Sequence, residues 1–270
     1  MNTRTFLATL LALAVVSLAN AFSAVTPLPQ AHSHNDYEHT RPLLDALDQG
    51  FCSVESDVWL VDGKLLVAHD LKDAKPERTL ERLYLEPLAA RVKQNGGRVF
   101  PNGPRFTLMI DVKSDATNSY RALKIVLERH ASMLTRFHAD RTETNAITVI
   151  ISGNRARELM LQDTTRLAAY DGRLTDLRAD ASPHFIPLVS DNWTQHFKWR
   201  ARVDEGAFPE VERKKLRALV SAARSQSRRL RLWATPDQPA MWRELRDAGV
   251  DLINTDKLAE LSQFLRTPSR

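Results

Sequence analysis

Glu55 and Asp57 stand two residues apart in the apolar run Val54-Glu55-Ser56-Asp57-Val58-Trp59-Leu60, and alternate side chains of an extended strand share a face. Two carboxylates on one face of an apolar strand need a partner, because a desolvated charge left alone is costly. A divalent cation meets that need. By the same period of two, Asp111 and Lys113 share a face in the segment Arg105–Lys113. Glu55, Asp57 and Asp111 then form an all-oxygen donor set suited to a hard cation such as Mg²⁺ or Ca²⁺, whereas zinc more usually recruits histidine. His32 and His34 share a face of a first strand, and His69 closes the returning arm of a hairpin. An imidazole near neutral pKa can take a proton from a nucleophile and return one to a leaving oxygen. With Lys113 added, the set describes a site for a phosphate ester, in which cation and ammonium offset phosphoryl charge while two imidazoles move protons. Paired carboxylates also serve glycosidases, but those need carboxyls about 5–10 Å apart across a sugar, not neighbours on one strand.

The elements that must hold these residues follow from pattern and punctuation. A short strand is expected over Gln30–His34 and a helix over Arg41–Gly50, with Pro near its start and Gly at its end. A second strand over Phe51–Leu60 turns at Asp62-Gly63 into Lys64–His69, which returns His69 towards the carboxylates. Helix over Thr79–Asn95, strand over Arg105–Lys113, helix over 117–134, strand over Ala146–Ser152 and helix over Asn154–Gln162 continue the alternation. Strands at Arg166–Tyr170, Phe185–Val189, Leu230–Ala234 and Val250–Asn254, with helices at about 210–227, 239–248 and 257–266, complete it.

Eight strands, each followed by helix, in one chain of this length indicate an α/β fold, a single-domain TIM (β/α)8 barrel. A doubly wound open sheet is the competing architecture, but it usually carries a glycine-rich phosphate loop after its first strand, where this chain has His32-Ser33-His34-Asn35-Asp36. Barrel catalysis sits at the C-terminal ends of strands, and His34, Asp57, Lys113, Asn192 and Asp256 all fall at such ends.

The N-terminus has a positive start, an apolar run from Phe6 to Leu18 and the small-x-small triplet Ala19-Asn20-Ala21. It reads as a signal peptide over residues 1–21, with export to the periplasm or exterior after cleavage near Ala21 and the barrel in residues 22–270. The apolar run is shorter than the roughly 20 residues a membrane anchor requires. The formal charge of +5 includes Arg4, the only charged side chain in residues 1–21, so removal of that segment leaves +4. This modest, dispersed excess suggests anionic partners only weakly. Cys52 is the only cysteine, which excludes an intramolecular disulfide and a thiolate zinc cluster and fits a small buried apolar residue. Arg213-Lys214-Lys215 and Arg228-Arg229 with Arg231 form either a solvated face or a transient contact with an anionic membrane surface. Trp193–Trp199 reads as a packed helix or a lid, and Trp233 either packs or shapes the pocket. No segment resembles a nucleic-acid module, and oligomeric state is not legible.

The segments Ala31-His32, Glu38–Thr40, Gly50–Val58, Asp62–Asp70, Ile110–Lys113, Leu232–Ala234 and Gly249–Asp256 resemble the glycerophosphodiester phosphodiesterases. The order and spacing are also similar to the spider-venom sphingomyelinase D enzymes, and both groups share a TIM-barrel superfamily with the phosphatidylinositol-specific phospholipases C. The resemblance runs from about residue 30 to 257. It implies metal binding by Glu55, Asp57 and Asp111, one catalytic imidazole at His69, phosphate contact by Lys113, and the second imidazole at His32 or at His34, which lies nearer the strand end. His32 is the one aligned with the family's first histidine. The implied activity is hydrolysis of glycerophosphodiesters or (lyso)phospholipids. A phospholipase D-like enzyme forming a cyclic phosphate and a non-catalytic barrel that only binds are the alternatives. Ser33 stands where the glycerophosphodiesterases typically have arginine, and Asp111 where they have glutamate; the aspartate matches the sphingomyelinase D pattern better.

Overall fold

The computed structural model describes residues 25–178 and 181–268, so the N-terminal segment expected to direct export lies outside the described residues. Eight parallel strands form the barrel: β1 (Leu28–Ser33), β2 (Phe51–Val61), β3 (Phe106–Val112), β4 (Ile147–Gly153), β5 (Ala169–Gly172), β6 (Leu188–Asn192), β7 (Arg229–Trp233) and β8 (Ile253–Thr255). Each pairs with its neighbour in chain order from β1 to β7, β8 pairs with β1, and a bridge between Arg231 and Leu252 closes the β7–β8 seam. This is the TIM (β/α)8 barrel expected from the alternation. The arm Lys64–Val67 folds back antiparallel on β2 through the Asp62-Gly63 turn. No described helix is long and apolar enough to cross a membrane.

Strand side chains divide by the period of two. Val54, Val58, Leu108, Ile110, Val112, Val149 and Ile151 are buried in the main core between barrel and helices. The helices supply matching stripes: Leu216, Val220 and Ala223 from the helix Glu210–Ser225, and Met241, Trp242 and Leu245 from the helix Pro239–Ala248. On the opposite strand face Met109, Ile150, Ala169, Leu188 and Leu252 form a second, small cluster inside the barrel.

Several boundaries differ from the sequence expectation for local reasons. Helix α1 covers only Leu44–Asp48, because the buried Asp36 carboxylate takes the Leu43 N–H and Leu43 sits at φ 65°, outside helical space. The strand expected over Arg166–Tyr170 begins at Ala169, since Thr165–Arg166 joins a three-stranded antiparallel sheet with Arg136–His138 and Thr142–Glu143. Phe137 of that sheet joins the inner cluster, sealing the barrel where its strands begin. Strand β6 starts after Pro187, which has no N–H to contribute.

The basic stretches divide: Lys214 and Lys215 are exposed, as a solvated face requires, whereas Arg228 and Arg231 are not. Arg228 and Arg231 are buried, Arg228 donating to the carbonyls of Asp176 and Ala181, while Arg213 pairs with Glu210 and Glu244. Trp193, Phe197 and Trp199 are buried, with Trp193 and Phe197 stacked at 4.1 Å, so the aromatic segment is packed rather than a lid. Burial pushes the Cys52 thiol up to about 12, which makes it an inert core residue.

Candidate active site

Strands β2 and β3 run in register, so Asp57 lies beside Asp111 at their C-terminal ends. Oxygens of Glu55, Asp57 and Asp111 come within 4.8 Å of one another. Lys113 continues the ladder with its N–H on the Val58 carbonyl, and its Nζ reaches Asp57 Oδ2 at 3.1 Å and Asp111 Oδ1 at 3.2 Å. The latter contact is an ion pair off the hydrogen-bond line, which leaves Asp111 Oδ1 buried without a hydrogen bond. Burial, and then the charge of Glu55, push the Asp111 carboxyl up to about 6. Gly153 closes over it: a Cβ there would stand 2.2 Å from Asp111 Oδ1.

Glu55 is nearly fully buried and receives Arg231 Nη2 and His32 Nε2, the latter at 3.2 Å. Burial alone would raise its pKa, but the charge of Arg231 and the His32 contact outweigh it and hold the carboxyl well below the usual range. His32 is fully buried, with Nδ1 on Ser53 Oγ at 2.7 Å. Burial and then the Arg231 charge lower its pKa to about 3, so it stays neutral. It lies beneath the carboxylates and does not line the cavity, whereas His34, two residues on, does. Two strand positions, about 6.6 Å of rise, separate the two candidate histidines, and of the two only His34 lines the cavity.

His34 Nδ1 lies 2.9 Å from Asp256 Oδ1, joining the ends of β1 and β8. Burial is the largest single influence on this imidazole and lowers its pKa, but the Asp256 hydrogen bond and the Glu55 charge together leave it raised. His69 is exposed, with Nδ1 at 3.0 Å from Asp57 Oδ2 and 3.2 Å from the hydroxyl of Tyr37. The Tyr37 hydroxyl donates to the same Asp57 oxygen at 2.7 Å. The turn carrying His34, Asn35 and Tyr37 is fixed from below by Asp36, which accepts from Ser33 Oγ and Tyr84 OH at 2.7 and 2.9 Å.

His34, Asn35, Glu55, Asp57, His69, Asp111, Lys113 and Arg231 line one cavity of about 270 Å³, together with Ser152, Arg173 and the half-buried Trp233. Of the candidate site residues read from the sequence, all but His32 line it; Asn192 and Asp256, also placed at strand ends, do not. The sequence reading missed Arg231, Arg173, Tyr37 and Gly153. Arg231 had a signal, since Arg229, Arg231 and Trp233 alternate as Glu55 and Asp57 do; Arg173 and Tyr37 follow strand ends in turns, where no periodicity marks them.

A divalent cation fits this donor set. Three converging carboxylates are hard oxygen donors, and one buried oxygen, on Asp111, has no hydrogen bond.

Residues 19–171 match the model of the AIM6-like phosphodiesterase domain, and residues 229–259 match that of the glycerophosphoryl diester phosphodiesterase family. The chain is 30% identical to "Altered inheritance of mitochondria protein 6" of Eremothecium gossypii, covering 89% of this chain and 70% of that protein. It is also 30% identical to the homologue of that protein in Arthroderma benhamiae, with 86% and 82% covered. Among solved structures, a phosphodiesterase of Oleispira antarctica in complex with the product sn-glycerol-3-phosphate superposes with a TM-score of 0.53 at 13% identity, covering 89% of this chain and 98% of that one. A glycerophosphodiester phosphodiesterase of Parabacteroides distasonis gives 0.51 at 15%, with 89% and 96% covered. At such identity the solved structures speak for the barrel alone, whereas the family model spans more than half of the sequence: the chain belongs to the AIM6-like phosphodiesterases.

Proposed function

We propose that the protein is a divalent-metal-dependent hydrolase of phosphodiesters of the glycerophosphodiester or (lyso)phospholipid type. The observation that carries this reading is the convergence of Glu55, Asp57 and Asp111 within 4.8 Å in a cavity that His34, His69 and Lys113 also line. The product named for the Oleispira antarctica relative is in keeping with it.

Glu55, Asp57 and Asp111 would hold Mg²⁺ or Ca²⁺, which when bound offsets charge on the phosphoryl oxygens. Lys113, held between Asp57 and Asp111, adds a fixed positive charge beside the same oxygens. His69 presents Nδ1 to Asp57, which favours the tautomer with a proton on Nδ1 and leaves Nε2 basic for the nucleophile. That nucleophile is water or a neighbouring substrate hydroxyl. His34, whose protonated form Asp256 favours, returns a proton to the leaving alkoxide. Trp233 shapes the cavity wall. We further propose export, supported by the signal-like residues 1–21, with the barrel forming the mature chain from residue 22. Exposed Lys214 is free for a transient contact with an anionic lipid surface.

The test is a hydrolysis screen on glycerophosphodiesters, lysophospholipids and sphingomyelin, with and without Mg²⁺ or Ca²⁺, read by phosphorus NMR. Turnover that disappears on chelation and in Asp57→Ala and His69→Ala supports the reading. A cyclic phosphate product would identify the intramolecular hydroxyl as nucleophile. Activity that survives chelation sinks the metal assignment, and binding without turnover makes the barrel a binding module.

A further inference from the structure

The cavity does not end at the carboxylates. Lys113 lines it and also lines an open groove beside it, whose other walls include Trp59, Asn154, Arg155 and Tyr170. The one carboxylate among the groove's lining residues, Asp115, is committed to the start of the helix Ala116–Glu128, where its Oδ1 accepts the Asn118 N–H at 2.9 Å. Of the cations at this edge, Lys113 is paired with Asp57 and Asp111 and Arg173 with Asp171. Arg155 makes no ion pair among the described residues: its Nη1 donates to the Asp171 carbonyl, and its Nε is buried without a partner. Arg173 makes every side-chain hydrogen bond through Nη1, to Asp171 Oδ2 at 2.8 Å, to the Gly172 carbonyl at 2.9 Å and, at longer range, to Ser190. A guanidinium carries five N–H donors in a fixed fork, so Nε and Nη2 of Arg173 remain for a ligand. Asp176 is taken by Arg157 Nη1 and the Arg173 N–H. After burial, the charge of Arg173 is the next largest influence lowering the pKa of Arg155, which marks the two cations as neighbours in a partly dry place. The Tyr170 ring face is already covered by Arg155 and Arg157, at 4.7 and 5.0 Å, and so offers no cage for a quaternary ammonium.

We infer that the groove holds an anionic group, carboxylate or phosphate, on one ester arm of the substrate, so that the preferred substrate is a phosphodiester carrying a second negative charge. This rests on the phosphodiester reading of the adjoining cavity. Lys113 faces the phosphodiester, while Arg155 from the groove wall and Arg173 from the adjoining cavity wall select the arm.

Four glycerol phosphodiesters test it, differing only in whether the second alcohol ends in hydroxyl, trimethylammonium, carboxylate or phosphate monoester. kcat/KM for an anionic arm should exceed that for the hydroxyl arm by about tenfold or more, through KM, the scale of one charge-assisted hydrogen bond. The trimethylammonium arm should be the poorest, and the carboxylate and phosphate arms identify which anion the groove takes. In Arg155→Gln, and separately in Arg173→Gln, the anionic-to-neutral ratio should fall towards one. Arg155→Gln removes the hydrogen bond to the Asp171 carbonyl and the cover over the Tyr170 ring but no ion pair, and because the readout is a ratio between arms within one variant, a general loss of stability cancels from it. Equal kcat/KM for all four arms, a preference for trimethylammonium, or a ratio unchanged in both variants overturns the inference while the phosphodiesterase reading stands. No turnover of any arm, the neutral one included, removes that reading and the inference with it.

Discussion

Gly153→Ala tests how tightly the carboxylate cluster is built. Gly153 ends β4 at φ +67°, and an alanine Cβ there would lie 2.2 Å from Asp111 Oδ1, 2.5 Å from the Val112 carbonyl oxygen and 2.8 Å from the Val112 nitrogen. The Val112 carbonyl accepts the Asn154 N–H at 2.7 Å, so the backbone is pinned and the Asp111 carboxylate must move. Gly63 supplies the control. It has φ +77° and nothing within 4 Å of its Cβ position, so Gly63→Ala carries the left-handed strain without the clash. That strain costs about 1–2 kcal/mol for an L-residue. Overpacking in a filled site costs roughly 1–3 kcal/mol more. The loss of unfolded-chain freedom on Gly→Ala is common to both variants and cancels. At about 2–4 °C per kcal/mol for a domain of this size, Gly153→Ala should melt roughly 2–12 °C below Gly63→Ala. Displacement of one ligand oxygen should also weaken Mg²⁺ binding by about tenfold, near 1.4 kcal/mol. Differential scanning calorimetry and isothermal titration with Mg²⁺ read the two effects. If Gly153→Ala melts with Gly63→Ala and binds Mg²⁺ like the parent, Asp111 is not held where the cluster requires it and the argument fails.

Three shorter predictions concern the charges around that cluster. Because the Asp111 carboxyl sits at about 6, Mg²⁺ affinity should fall as pH drops through that value, and titrations at several pH values should find this dependence diminished in Asp111→Asn. Arg231→Leu leaves Glu55 buried without its main counter-charge and should destabilise the fold by about 3–5 kcal/mol, measured by urea unfolding. The His34 pKa is raised in the folded state, so its contact with Asp256 stabilises the protein below the ordinary histidine value of 6.5 and that contribution is lost as pH rises through the raised one. The melting difference between parent and Asp256→Asn should therefore be largest at low pH and vanish at high pH, and the basic limb of kcat/KM should move to lower pH in the variant.

Period-two reasoning made much of the site legible. It put Glu55 with Asp57 and Asp111 with Lys113, and strand alternation then carried all four to one barrel mouth. It failed where the residue lies in a turn. Arg173 enters the cavity, and Tyr37 reaches Asp57 and His69 of its wall, from loops whose course depends on contacts remote in sequence, such as Tyr84 on Asp36 and Ser190 on Asp171. It also failed where charge was judged by neighbours along the chain. Arg228, Arg229 and Arg231 read as a basic surface run, yet alternation on β7 sends Arg231 into the barrel while Arg228 satisfies loop carbonyls. Depth along a strand was the third gap: His32 and His34 share a face, and only the three-dimensional mouth separates a buried neutral imidazole from one that meets solvent.

Arg231 ties the carboxylate cluster to the architecture. β7 and β8 meet through a single bridge, between Arg231 and Leu252, which makes this seam the thinnest join in the barrel. The Arg231 side chain compensates on both sides of it: Nε reaches Asn254 Oδ1 on β8 at 3.2 Å, Nη1 reaches Met109 Sδ on β3, and Nη2 reaches Glu55 on β2. One guanidinium thus spans the barrel interior from the seam to the strands that carry the carboxylates. Glu55 is consequently held by barrel closure as well as by its own strand. The guanidinium that neutralises the buried Glu55 carboxylate also sets the distance between β2 and the β7–β8 seam, so substitutions that loosen the seam should loosen the carboxylate cluster before they unfold the barrel.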